Sequence, residues 1–225
     1  VLVSEALEAL SVVEDGWYAD GTFGRGGHSA LILSKLGEQG RLFALDKDPE
    51  AVAYGRERFA DDPRFVIEHG GFESLAERAR GWLGDSRLSG VLLDLGVSSP
   101  QLETAGRGFS LMQDGPLDMR MDTTSGETAA EWLARVEESE LRDVLYCFGE
   151  EPRARQIAAA IVRSRAEKPL ETTAQLASLV KASSGYRDSR LHPSTRVFQA
   201  VRIRINAELE ALQRVLGQCI DLLAD

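Results

Sequence analysis

The segment Tyr18-Ala19-Asp20-Gly21-Thr22-Phe23-Gly24-Arg25-Gly26-Gly27-His28 places a run of glycines directly behind an acidic residue. Glycines allow a tight turn and let backbone approach a ligand closely. The spacing is not the G-x-G-x-x-G of a dinucleotide site, and the Gly-Lys-Ser/Thr of a phosphate loop is missing. Asp20 at the head of the turn would repel a pyrophosphate. It suits an ammonium group or the cationic sulfonium region of S-adenosylmethionine. A purely structural glycine turn is the plainer alternative, and the length of this run weighs against it.

Other residues extend the chemistry. Asp46 falls 20 residues after Gly26, where a carboxylate can accept both hydroxyls of a ribose. Asp48 is expected to cap the helix that follows, leaving Asp46 free. Phe72, behind Gly70-Gly71, is either an aromatic face for adenine or a core residue. Asp94-Leu95-Gly96-Val97-Ser98-Ser99-Pro100-Gln101 reads as the reaction loop, with Asp94, Ser99 and Pro100 as its catalytic residues. A carboxylate, hydroxyl or carbonyl there accepts hydrogen bonds from a target amine and aims the nitrogen lone pair. Methyl transfer is an in-line displacement, so positioning in a water-poor pocket supplies most of the rate. No strong general base is needed, because the proton can leave late.

These residues require a scaffold that collects them. Short apolar runs alternate with helical patterns over residues 1–100. Strands are expected at Trp17-Tyr18-Ala19, Arg41 to Leu45, Phe65-Val66-Ile67 and Val91-Leu92-Leu93, three of them ending at Asp20, Asp46 and Asp94. Helices are expected between them at Ser29 to Leu36 (with Leu31, Ile32 and Leu36 on one face), Pro49 to Phe59 and Ser74 to Leu83. Such alternation indicates a parallel, doubly wound sheet, in which ligands lie beyond the carboxyl ends of the strands.

The pattern changes after Pro100. Residues 104–126 read as a long functional loop. Thr128-Ala129-Ala130-Glu131 is a capping box that opens a helix. Further helices are expected at about 139–147, 153–165 and 173–182, then a loop over 183–194. A single amphipathic helix is expected over about 195–223, with Phe198, Val201, Ile205, Leu209, Leu212, Leu216 and Leu223 on its apolar side. The fold class is therefore α/β, with a parallel sheet interrupted after strand 4 by an all-helical inserted domain. The expected division is a sheet domain of residues 1–103 and 193–225 and an insert of residues 104–192. The chain starts at Val1-Leu2 and stops where a fifth strand is due, so residues are expected to be missing at both ends.

Composition narrows the function classes. With 43% hydrophobic residues in 225, a sizeable core is expected and disorder is not. No apolar run reaches the roughly 18 residues of a membrane span, and no signal peptide is expected. Cys147 and Cys219 lie far apart, which excludes a disulfide framework and a cysteine zinc site and fits a reducing cytoplasm. His28, His69 and His192 are scattered, so no metal site is expected. The net charge of −10 argues against nonspecific nucleic-acid binding. Residues 151–204, however, hold 11 Lys+Arg against 4 Asp+Glu, a balance of +7, and the rest of the chain carries −17. A basic segment on an acidic body marks either a local polyanion contact or a set of solvated helix faces.

Five segments together resemble the bacterial RsmH (MraW) family, the 16S ribosomal RNA cytidine-N4 methyltransferases. They are Gly21 to His28, Leu93 to Gln101, Arg107-Gly108-Phe109-Ser110, Asp114 to Asp122 and His192 to Arg202, in the family's order and spanning most of the chain. The resemblance implies a Rossmann-like S-adenosylmethionine methyltransferase fold. It implies that Gly26, Gly27, His28, Asp46, Phe72, Asp94 and Gln101 contact S-adenosylmethionine. It implies that the insert serves substrate recognition, with Asp118, Arg120, His192 and Arg196 on the RNA-facing side. The substrate would be the exocyclic amine of one cytidine in the decoding region, a base that must be taken out of its stack to react. The partner would be small-subunit rRNA or the assembling 30S subunit in the cytoplasm, with no membrane and no metal. Oligomeric state, a homodimer included, stays open.

Three other readings compete. A methyltransferase acting on a DNA amine would carry Asp/Asn-Pro-Pro-Tyr where this chain has Ser98-Ser99-Pro100-Gln101. A noncatalytic RNA-binding module has no use for acidic residues at three strand ends. A nicotinamide-dependent dehydrogenase would need a different glycine spacing.

Overall fold

Tyr18 and Ala19 are neighbours in sequence but point to opposite faces of a sheet, and both are fully buried. That requires cover on both faces, and the computed structural model, which describes residues 2–185 and 192–224, supplies it. Strands β1 (Trp17–Asp20), β2 (Arg41–Asp46), β3 (Phe65–His69) and β4 (Gly90–Leu92) form a parallel sheet in the order β3-β2-β1-β4. Tyr18 pairs with Leu42 and Gly90, and Ala44 with Ile67. β2 is an almost unbroken apolar run, as a strand buried on both sides must be.

Alternate residues sort into two layers. On one side, Tyr18, Leu42 and Leu92 pack with Ile32, Leu33 and Leu36 of α2 (Gly27–Lys35) and with Leu10 of α1 (Val3–Leu10). Beside them, Ala44 and Ile67 pack with Phe23 and with Ala51 and Val52 of α3 (Pro49–Arg58). On the other side, Ala19, Phe43 and Leu45 pack with Leu75 and Ala79 of α4 (Leu75–Leu83) and with Ala211 and Val215. The apolar face of α2 differs from the expected one. Leu31 is 42% exposed, whereas Ile32, Leu33 and Leu36 are buried, because Ser29, Ile32, Leu33 and Leu36 are the set that 3.6-residue periodicity aligns.

The chain divides into two compact units, one of Val1–Gly96 with Leu209–Asp225, the other of Val97–Glu208. The second unit thus reaches beyond the expected insert of 104–192 at both ends. It holds α5 (Ser99–Glu103), α6 (Ala129–Arg135), α7 (Glu138–Cys147), α8 (Ala154–Glu167), α9 (Thr173–Ser184) and α10 (Thr195–Ile205). Trp132, Leu133, Leu141, Leu145, Ile157, Ile161, Leu176, Val180, Val197 and Val201 make its core. Thr128 caps α6 by accepting the Glu131 N–H, and Glu131 accepts the Thr128 N–H in return. Of the loop expected at 183–194, residues 186–191 lie outside the described residues.

The helix expected at 195–223 is two helices, α10 and then α11 (Glu208–Leu222). Asn206 makes the break. Its side chain accepts the Met121 N–H at 2.7 Å and donates to the Met119 and Arg202 carbonyls at 2.8 and 2.9 Å, and Ala207 follows at φ 48°. A buried amide with local backbone partners competes with helix continuation. The break resets the helical phase, so Ala211 and Val215 are buried while Leu209 and Leu216 are 46% and 54% exposed. At the end of α11 the Leu222 carbonyl accepts the Leu88 N–H and the Ala224 N–H donates to the Leu88 carbonyl, both at 2.9 Å, a single parallel bridge beside β4. Among the described residues no helix is long and apolar enough to cross a membrane.

Candidate active site

The turn after β1 is held by backbone first. The Gly21 N–H donates to the Leu92 carbonyl at 2.9 Å and the Phe23 N–H to the Leu45 carbonyl at 3.1 Å. The loop therefore bridges the carboxyl ends of β4, β1 and β2. Gly26 sits at φ 67°, and a Cβ there would come within 2.6 Å of the Phe23 ring, so only glycine fits. Gly27 opens α2, and a Cβ on it would meet nothing within 4 Å. Gly27 is exposed, and the space beside it is open.

Carboxylates from three strand ends join this loop. Asp20, fully buried, accepts the Ser29 hydroxyl at 2.7 Å and the Thr22 N–H at 3.1 Å. Burial pushes its carboxyl up, and these hydrogen bonds oppose the rise only in part. Asp46 is not free as expected. Its Oδ2 accepts the Gly24 N–H at 2.7 Å and its Oδ1 the Asp48 N–H at 2.8 Å, while Asp48 caps α3 by accepting the Glu50 N–H. Burial pushes Asp46 up to about 6 despite these donors. A carboxylate offers about four acceptor positions, so two remain for ribose hydroxyls. The Asp94 N–H donates to the Thr22 hydroxyl at 2.7 Å, and its Oδ2 stands 3.8 Å from His28 Nδ1. Thr22 and Ser29 were missed by sequence reasoning. The available signal was Ser29, a small polar residue aligned with the apolar face of α2.

Phe72 is a core residue, packed with Phe43, Leu45 and Leu75. It begins a 3-10 turn, and the Lys47 ammonium, paired with Glu73 at 3.2 Å, lies 5.8 Å from its ring centroid. The first unit thus brings together Gly26, Gly27, His28, Asp46 and Asp94, with Phe72 beneath the neighbouring turn. A hollow of about 430 Å³ lined by Arg58, Phe59, Asp61, Asp62, Pro63 and Arg64 lies at the connection into β3, at the opposite end of that strand, and includes none of these groups.

The unit boundary falls within the expected reaction loop, between Gly96 and Val97. Ser99 and Pro100 form the first turn of α5. Gln101 is buried, and its Oε1 accepts the Ser98 N–H at 3.0 Å, so it holds the start of that helix. Asp118 and Arg120 pair with each other through two hydrogen bonds of 2.8 Å, and the guanidinium holds the Asp118 carboxyl below the usual range against its burial. They sit in a segment that is packed rather than open. Leu117 and Met119 are 1% exposed, and the Leu117 N–H donates to the Glu171 carbonyl at 2.8 Å. His192 and Arg196 are exposed where α10 begins, and His192 Nδ1 accepts the Ser194 N–H at 3.2 Å.

A glycine turn and clustered carboxylates at the carboxyl ends of a parallel sheet suit a ligand that carries a ribose and a positive charge, and this chain is an S-adenosylmethionine-dependent methyltransferase. It belongs to the MraW methylase family, whose model matches residues 1–225. A curated relative from Thioalkalivibrio sulfidiphilus (strain HL-EbGR7), "Ribosomal RNA small subunit methyltransferase H", is 59% identical over 225 residues, covering 100% of this chain and 71% of the relative. Proteins with the same description from Chromohalobacter salexigens and Chromobacterium violaceum are 55% and 56% identical over 224 residues, covering 100% and 99% of this chain and 67% and 69% of their own lengths.

The residues present fit S-adenosylmethionine. The open space beside Gly27 leaves the start of α2 accessible, where the first N–H groups have no partner within the helix. Asp46 suits the ribose, and Asp94, half-exposed beside His28, offers a carboxylate to a sulfonium or an ammonium.

Proposed function

We propose that this chain methylates the N4 exocyclic amine of one cytidine in the decoding region of small-subunit (16S) ribosomal RNA. Ribosomal RNA as substrate is supported by the 59% identity to a relative described as a small-subunit rRNA methyltransferase. The cytidine N4 position is supported by the motif resemblance, notably Ser98-Ser99-Pro100-Gln101 in the reaction loop. The observation that carries the chemistry is the network joining Asp20, Asp46 and Asp94 to one glycine-rich turn.

Gly26, Gly27, His28, Asp46, Phe72, Asp94 and Gln101 are assigned to cofactor binding. S-adenosylmethionine, when bound, supplies an electrophilic methyl group. Asp94 and the Ser99-Pro100 turn orient the amine so that its lone pair forms the new N–C bond as the C–S bond breaks. Holding the amine in line supplies most of the rate, since well-oriented reactants gain on the order of 7–11 kcal/mol over free encounter. The N4 proton then leaves to water or a nearby acceptor. Asp118, Arg120, His192 and Arg196 are assigned to the RNA, and the helical unit to its recognition. The partner is rRNA or the assembling 30S subunit, in the cytoplasm.

Mass spectrometry of rRNA nucleosides from a strain lacking the gene tests this directly. The expected result is loss of N4-methylation at one small-subunit cytidine, restored by the gene in trans. Persistence of that mark at its normal stoichiometry would overturn the proposal.

A further inference from the structure

The glycine-rich turn is gripped from a second side. Arg58 Nη1, at the end of α3, donates to the Arg25 carbonyl at 2.6 Å. The Arg25 guanidinium lies 4.9 Å from the Tyr54 ring centroid, and that of Arg58 lies 5.9 Å from the same ring and 5.2 Å from Phe59. Phe59 in turn meets the Phe23 ring edge-on at 6.2 Å. Tyr54 and Arg58 are four residues apart and share a helix face. Together with Phe59 they hold the loop at Phe23, at the Arg25 backbone and at the Arg25 side chain. Arg58 forms no ion pair among the described residues, though Asp61 and Asp62 stand close in sequence. In a body this acidic, its strongest contact is a loop carbonyl one residue before Gly26.

We propose that Arg58 and Tyr54 are positioning residues for the cofactor, fixing the Gly24-to-Gly27 turn in the shape that receives S-adenosylmethionine. This rests on the reading that the turn binds that ligand. Arg25 and Arg58 are exposed, while Tyr54 and Phe59 are half-buried against the Phe23, Ala44 and Val52 cluster, so the Arg58 hydrogen bond adds little to global stability. Its effect is felt in binding, because a loop already ordered in its bound shape loses less entropy when the ligand arrives. Tyr54 gives both guanidinium groups a shared ring to lie against, and Arg58 supplies the directed hydrogen bond.

The test uses the full chain, calorimetry with S-adenosylmethionine as titrant, and steady-state methylation of small-subunit RNA. Arg58→Ala and Tyr54→Ala are each expected to raise Kd and KM for the cofactor about five- to tenfold, the loss of one hydrogen bond or one cation–π stack. For Arg58→Ala the kcat, the KM for RNA and the melting temperature are expected to stay near wild type, whereas Tyr54→Ala also lowers the melting temperature because it removes a half-buried ring. Arg58→Lys, which keeps a donor without the planar stack, recovers part of the loss, and Tyr54→Phe recovers nearly all of it. Unchanged cofactor affinity in Arg58→Ala overturns the inference. So does a loss that follows a fall in melting temperature and is not rescued by Arg58→Lys. If the wild-type chain itself binds no S-adenosylmethionine, the cofactor reading fails first and takes the clamp with it.

Discussion

Asp46 Oδ2 accepts the backbone N–H of Gly24 at 2.7 Å, so the carboxylate assigned to the ribose also fixes the loop assigned to the rest of the cofactor. One side chain would then couple the two halves of the proposed binding site. Replacing it with Ala removes the ribose acceptor and releases Gly24 together. Hydrogen bonds to a charged group are worth about 1.5–3 kcal/mol each, so Asp46→Ala is expected to weaken S-adenosylmethionine at least tenfold by calorimetry. Unaltered affinity would remove Asp46 from the site.

The same carboxyl sets a pH dependence. Burial holds Asp46 up at about 6 against 3.8 when unfolded. A folded value above the unfolded one means the native state binds the proton more tightly, so this group favours folding at low pH. That contribution, at most on the order of 3 kcal/mol, is full below about 4 and is lost as pH rises through about 6. Asp20 is shifted in the same direction. Cofactor binding has the opposite sign, since accepting ribose hydroxyls favours the ionised form. Lowering the pH from 7 to 5 should therefore weaken the cofactor while raising the wild-type melting temperature relative to that of Asp46→Ala. Parallel titrations of affinity and melting temperature check both signs, and a wild type that loses stability relative to the variant over that window contradicts the assignment.

Asn206 governs the second unit in a similar way. Its side-chain amide joins Met119, Met121 and Arg202 and is buried. Replacing it with Leu takes this partner from the Met121 N–H and the Met119 carbonyl, at about 1–2 kcal/mol each, while the Arg202 carbonyl keeps the Asn206 backbone N–H at 3.0 Å. Asn206→Leu is expected to destabilise the protein by about 2–4 kcal/mol in urea denaturation. A variant within about 0.5 kcal/mol of wild type would mean that α10 and α11 can fuse into one helix at no cost.

Asn206 also marks the limit of what the sequence reveals. The strands were legible because Trp17–Asp20 and Arg41–Asp46 are short apolar runs ending in acids, and acids at strand ends are the residues that a doubly wound sheet gathers. The glycine-rich loop was legible for the same reason. The break at Asn206 was not, because Phe198 to Leu216 keeps helical spacing through it and the cause is a contact with residues 119 and 121, distant in sequence. Asp46 was placed correctly at its strand end, but its bond to Gly24 depends on register between β1 and β2, which local pattern does not encode. The packing of Phe72 with Phe43, Leu45 and Leu75 is not legible in the sequence, since it depends on partners distant in the chain. The resemblance assigns Asp118 and Arg120 to the RNA-facing side, and the hydrogen bonds that pair them with each other are not legible in the sequence.

Arg196, proposed as an RNA contact, gives a test that tells RNA recognition from cofactor binding. It is exposed on the first turn of α10 and belongs to the stretch where basic residues outnumber acidic ones. A cation that meets phosphate releases counterions, so its contribution to RNA binding falls as salt rises. Arg196→Glu is expected to lower kcat/KM for RNA at least tenfold at low salt while leaving S-adenosylmethionine affinity within about twofold. Each phosphate contact removed should also flatten the salt dependence of RNA binding by about one in its logarithmic slope. Methylation assays across a salt series, with cofactor calorimetry beside them, read both effects. If RNA and cofactor binding fall together, the substitution has disturbed folding, and Arg196 has no claim to the RNA.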